Sequence, residues 1–166
     1  MRYHKLKAGS EPGTYVMESA LVTEEDILIM AKQLSRKRLN KGRALTSPGD
    51  VKEHLRALLQ DHPHEVFAIL LLDTQHKIIG FHEMFRGTID STSVYPREVA
   101  KLALEHNAAA VILTHNHPSG EPTPSQADIK LTKVLIESLA LIGVRVLDHI
   151  VVSSQGCASL AERGEM

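Results

Sequence analysis

Residues 108–142 constrain the fold more than any other stretch, because they dictate a strand, a turn and a helix in succession. The apolar run 108–113 has the length of a buried strand, and His115-Asn116-His117 closes it. On a strand, side chains two apart share a face, so His115 and His117 can point at one spot. The Pro- and Gly-rich segment that begins at Pro118 cannot continue a strand and must turn. Ser125 and Asp128 then open an amphipathic helix over 126–142, with Leu131, Leu135, Leu139 and Ile142 on its core side and Gly143 as its cap. Two neutral imidazoles and one carboxylate on rigid elements are the donor set of a zinc site with its fourth position left to water. Ser125-x-x-Asp128 also resembles a helix cap, and an acid in the first turn is favoured by the helix dipole. The roles are compatible, because a capping carboxylate keeps lone pairs for a metal.

The remaining pattern supplies the frame. Residues 1–22 lack periodicity and read as an extended or poorly ordered arm. Thr23-Glu24-Glu25-Asp26 starts a helix to about Leu39, with Ile27, Leu28, Met30, Ala31 and Leu34 as its apolar side. Ser47 and Pro48 begin a second helix, capped by the serine and stopped before Pro63. Runs 66–73 and 78–88 form two strands whose short connection makes them an antiparallel hairpin. A helix over 96–106, the strand 108–113, the helix 126–142, a strand over 144–153 and a short last strand ending at Leu160 complete the chain. The order is that of an α/β (α+β) protein, a mixed sheet with helices packed on it. Two segments follow: an N-terminal arm and helix over 1–44, and the main domain over 45–166.

Composition excludes several function classes. The 166 residues carry 19 Lys plus Arg against 20 Asp plus Glu, a net charge of −1. That leaves no global field to attract nucleic acid, and three Tyr, three Phe and no Trp make base stacking a poor main activity. The cluster Arg36, Lys37, Arg38, Lys41 and Arg43 reads first as positive charge at a helix C-terminus. Cys157 stands alone, which rules out an internal disulfide and suits a reducing cytoplasm. No signal peptide or membrane-length apolar stretch is visible, so a cytoplasmic location and no membrane partner are expected.

A metal-activated water needs an acid to take and return its proton. Glu83, between Phe81 and Phe85 on the second strand, reads as core-facing and within reach of the histidines; the alternative is the solvent side of an edge strand. Ser125 can donate to a developing oxyanion, or serve only as the cap. His62-Pro63-His64 sits in a loop without a following carboxylate and reads as solvated. His149 reads as a histidine that supports the site or fills the core, and His82 as pointing away from Glu83.

His115-x-His117, then Ser125-x-x-Asp128, with a glutamate upstream, resembles the JAMM motif of the JAB/MPN metalloprotease superfamily. His115-Asn116-His117-Pro118-Ser119-Gly120, with Pro96-Arg97-Glu98-Val99 before it and Val146-Leu147-Asp148-His149 after, is similar specifically to the RadC family over residues 45–166. The resemblance implies an MPN fold, one zinc ion on His115, His117 and Asp128, Glu83 as general acid/base, and Ser125 as oxyanion donor. Residues 1–45 show no glycine-rich helix-hairpin-helix segment such as longer relatives carry, and Tyr95 stands where the family often has His. The expected function is a zinc-dependent hydrolase cleaving an amide or isopeptide bond in a protein or peptide substrate. The alternative is a non-proteolytic accessory protein of DNA repair or recombination with the same fold.

Overall fold

In the computed structural model, which describes residues 2–45, 47–87 and 93–166, the chain opens with three short strands. These are β1 (Arg2–Tyr3), β2 (Leu6–Ala8) and β3 (Tyr15–Met17), paired antiparallel in that order. Residues 1–22 are therefore more ordered than the sequence pattern implies. Strands of two and three residues are too short to display an alternation, and what anchors this sheet lies outside it. Asp26 of helix α1 (Glu24–Arg38) takes Lys5 Nζ at 2.6 Å and His4 Nε2 at 2.5 Å. Lys5 and then His4 hold that carboxyl well below the usual range. Asp26 also completes a capping box with Thr23. On the same helix Met30 is buried, whereas Ile27 and Leu28 are exposed, so only part of its apolar side is used.

Helix α2 (Pro48–Leu59) starts where Ser47 and Pro48 place it: the Ser47 side chain accepts from Asp50 N. Then come β4 (Val66–Leu72), β5 (Ile78–Arg86), helix α3 (Pro96–Glu105), β6 (Ala110–Asn116), helix α4 (Gln126–Ala140), β7 (Arg145–Val152) and β8 (Cys157–Ser159). The last residue expected of the second strand, Thr88, lies outside the described residues. The five strands form one mixed sheet in the order β5-β4-β6-β7-β8, antiparallel throughout except for β6 beside β7.

β4 is the keel of this sheet, and all seven of its residues are buried. Val66, Ala68, Leu70 and Leu72 face α2, where Val51, Leu55, Leu58 and Leu59 meet them. Phe67, Ile69 and Leu71 face the other way, against Val99 and Ala103 of α3 and Leu135 and Leu139 of α4. Each fully buried large side chain contributes about 1.5–3 kcal/mol, so the strand commits the sheet to two covered faces.

One irregularity decides which side chains reach which face. β5 pairs with β4 through Phe85↔Phe67 and then Glu83↔Ala68, so Met84 is the extra residue of a bulge. Phe85 accordingly packs with the α3/α4 cluster and Phe81 with the α2 cluster. The two aromatics that flank Glu83 in sequence do not share a face.

Candidate metal centre

β6 carries His115 to the end of the sheet, on the α3/α4 side, and His117 follows just beyond the strand. His117 N still donates to Val152 O at 2.9 Å, which prolongs the pairing with β7. The loop turns at Gly120, whose φ of +92° favours glycine; a Cβ there would also lie 3.1 Å from Ser154 Oγ. α4 then begins with Ser125 as N-cap and Asp128 as the reciprocal member of a capping box. Ser125 N donates to Asp128 Oδ2 at 2.7 Å, and Asp128 N to Ser125 Oγ at 3.1 Å. The cap therefore sets the carboxylate's position.

The three expected ligands meet. His115 Nε2 lies 3.0 Å from His117 Nε2, 3.3 Å from Asp128 Oδ1, and His117 Nε2 lies 3.4 Å from Asp128 Oδ2. His115 is buried, His117 and Asp128 half-buried. His117 Nδ1 lies 2.8 Å from the Glu121 carbonyl, which can only accept, so that nitrogen carries the proton and Nε2 is left to bind. His115 Nδ1 faces His149 Nε2 at 2.8 Å. Hydrogen bonding to Asp128 raises the His117 imidazole above its ordinary value, against burial, which lowers it. Burial pushes the Asp128 carboxyl up, yet the His115 and His117 imidazoles together hold it well below the carboxylate range. His149 is fully buried, and burial, with His115 beside it, keeps it well below the ordinary imidazole value. Two imidazole nitrogens and a carboxylate oxygen converging in this way fit a zinc ion with an open position.

Glu83 goes elsewhere. It is exposed, on the α2 side of the sheet, with Oε1 3.8 Å from both the Arg36 guanidinium and His62 Nε2. The Met84 bulge explains the departure from the core-facing position expected of it. Ser125 lies at the site's rim, exposed, with Oγ acting as the cap's acceptor and its hydroxyl hydrogen not used by the cap. His62 and His64 are half-buried rather than solvated, because Asn116 Nδ2 donates to the His64 carbonyl at 3.0 Å and to that of His62 at 3.4 Å. His82 points away from Glu83, edge-on to His106 at 4.8 Å between ring centroids.

An acid that the sequence analysis did not single out, Glu65, lies close enough to act on His117. β4 and β6 pair with Phe67 opposite His115. That register ends at Phe67 and His115; continued two residues past the strand ends, the alternation would bring Glu65 toward His117 on the side Phe67 faces. Its charge is among the influences that raise the His117 imidazole. The strand is held there from both sides: Gly87 N donates to Glu65 O at 2.8 Å, and Val66 N to Asn116 Oδ1 at 2.7 Å. The available signal was positional, an acid immediately ahead of the longest apolar strand.

A mixed sheet with helices on both faces and a His-x-His strand end closed by the first turn of the next helix defines a JAB-type domain. Residues 45–165 match the RadC-like JAB domain family, and the chain belongs to that family. Its relatives include a UPF0758 protein of Vibrio cholerae, 55% identical over 141 residues that span 85% of this chain and 89% of that protein. A UPF0758 protein of Aeromonas hydrophila is 53% identical over 138 residues, which are 83% of this chain but 62% of the relative. One from Shewanella frigidimarina is 50% identical over 157 residues, 95% of this chain and 67% of its own length. The match thus spans about three fifths of the length of several relatives. Among the described residues no helix is long and apolar enough to cross a membrane.

Proposed function

We propose that this domain is a zinc-dependent hydrolase of amide or isopeptide bonds, with His115, His117 and Asp128 as the ligands. What supports the reading is the convergence of His115, His117 and Asp128 together with an acid, Glu65, whose charge acts on His117. A bound zinc ion would supply Lewis acidity and bring the pKa of water near neutrality. The chain's own residues do the rest. Glu65 takes the proton of the attacking water and returns it to the leaving amine. Ser125, with a hydroxyl hydrogen to give, faces the developing oxyanion. Asp128, oriented by its cap, fixes the site against α4 while His117 is held by the Glu121 carbonyl. Glu83, opposite Arg36 and His62, has no part in the chemistry.

A peptide and isopeptide library screened with and without chelator tests the reading. Turnover that disappears on chelation, returns with zinc and is lost in Glu65→Gln supports it. Salt-resistant, metal-dependent DNA binding or cleavage with no peptide turned over would instead support a DNA-repair accessory role.

A further inference from the structure

We propose that Thr132 and His149 form a relay that fixes the proton of His115 on Nδ1, so that Nε2 is presented bare to a cation. His149 is then a positioning residue. The inference rests on reading the three converging side chains as a metal centre, and it reaches two residues outside that set.

Four links can be followed. Thr132 Oγ1 lies 2.7 Å from the Asp128 carbonyl, one helical turn back along α4. The same Oγ1 lies 2.6 Å from His149 Nδ1. His149 Nε2 lies 2.8 Å from His115 Nδ1. His115 Nε2 lies 3.3 Å from Asp128 Oδ1. Donor arithmetic orders them. A carbonyl only accepts, so the single hydroxyl hydrogen of Thr132 goes to Asp128. Oγ1 must then accept from His149 Nδ1–H. A neutral imidazole has one N–H, so His149 Nε2 accepts in turn from His115 Nδ1–H. Nothing is left on His115 Nε2 but its lone pair.

Thr132 and His149 are both fully buried, where no water can compensate a misplaced proton. The relay begins and ends on one residue: Asp128 gives its carbonyl to one end and its carboxylate to the other. His117 reaches the same state in a single step, because its Nδ1 meets the Glu121 carbonyl in the loop. His115 cannot do so, since its Nδ1 points across to β7 inside the sheet, and a side-chain relay from β7 and α4 replaces the missing carbonyl. Metal-binding histidines are commonly oriented through their second nitrogen, and loss of such a partner costs about 10–100-fold in affinity.

The test uses the intact chain labelled with ¹⁵N-histidine. Two-bond ¹H–¹⁵N spectra of the metal-free protein should show His115 and His149 protonated on Nδ1 alone; a proton on His149 Nε2 would overturn the relay. Zinc affinity, measured by competition with a chromophoric chelator, should fall about 10–100-fold in Thr132→Val. Thr132→Ser should return it close to the parent value. A folded Thr132→Val that binds zinc as tightly as the parent would also overturn the proposal. Should that variant fail to fold, the spectra of the unaltered protein and the affinity of Thr132→Ser decide. Failure of the metal reading is distinguishable. An unaltered protein that takes up no zinc, yet has His149 protonated on Nδ1 alone, counts against that reading and upholds the proton order. Zinc uptake with the proton on His149 Nε2 does the reverse.

Discussion

Two His-x-His segments meet at one end of the sheet, tied together by Asn116, which accepts from Val66 N and donates to the carbonyls of His62 and His64. In His115-x-His117 the Nε2 atoms stand 3.0 Å apart with Asp128 against both. In His62-x-His64 the rings sit 5.8 Å apart and tilted, and the acid nearest His62, Glu83, also faces Arg36. The same spelling thus has two outcomes. A strand end puts alternate imidazoles on one face, whereas a loop does not. An acid serves a metal best where no fixed cation competes for it, and Asp128 meets two imidazoles and the Ser125 N–H where Glu83 meets a guanidinium.

The largest effect should come from emptying the first segment. His115→Ala or His117→Ala should abolish stoichiometric zinc, whereas His62→Ala with His64→Ala should retain it; elemental analysis of untagged protein reads both. Equal loss from the two segments would erase the distinction. Next come the two glutamates. Glu65→Gln should keep zinc and lose turnover by roughly 10²–10⁴-fold. Glu83→Gln should stay near the parent rate, and the opposite ranking would return the acid/base role to Glu83.

Asn116 is where the segments depend on each other. Asn116→Ala strands the Val66 N–H and two loop carbonyls, and should cost about 1–3 kcal/mol in denaturant unfolding. An unchanged midpoint would show that the two loops are held independently.

A smaller effect concerns pH in the metal-free protein. His117 has its pKa raised, so its contribution is present below the ordinary imidazole value and is lost as pH rises through the raised one. Asp128 is depressed, so its contribution is present above the ordinary carboxylate value and is lost as pH falls through the depressed one. Stabilisation from this pair is therefore fullest between about pH 4 and pH 6.5 and declines above. Melting of chelated protein at about pH 5.5 and pH 8.5 should show that decline, and His117→Gln should flatten it. Zinc uptake should run the other way and tighten with rising pH, because the ion displaces a proton. The smallest change belongs to the second segment: Arg36→Ala removes a 3.8 Å pair with an exposed guanidinium and should cost at most about 1 kcal/mol.

Legibility in the sequence followed element length and register. The α-β-β-α-β-α-β-β order of the main domain was readable because its strands and helices, β8 apart, are long enough to display a period, and Ser47, Pro48 and Ser125 mark helix starts chemically. The three candidate ligands were readable because one strand end and one helix start bring them together, both local events. β1 to β3 were not, since they are too short to show a period and the contacts that tie them to α1, His4 and Lys5 on Asp26, are some twenty residues apart in sequence. The core-facing placement expected of Glu83 failed for one physical reason: alternation along 78–86 assumes an unbroken strand, and the extra residue Met84 puts Phe85 on the opposite face from Phe81. Glu65 had only a weak local signal, its place just ahead of β4, and its nearness to the histidines follows from the pairing of β4 with β6, a contact some fifty residues apart.

The most direct test is a crystal structure of the zinc-loaded protein with anomalous data at the zinc edge. One peak is expected per chain, about 2.0–2.1 Å from the Nε2 atoms of His115 and His117 and about 2.0–2.2 Å from an Asp128 oxygen. Glu65 should be the nearest acid that is not a ligand. A peak placed elsewhere, or one whose nearest unligated acid is Glu83, would contradict the account.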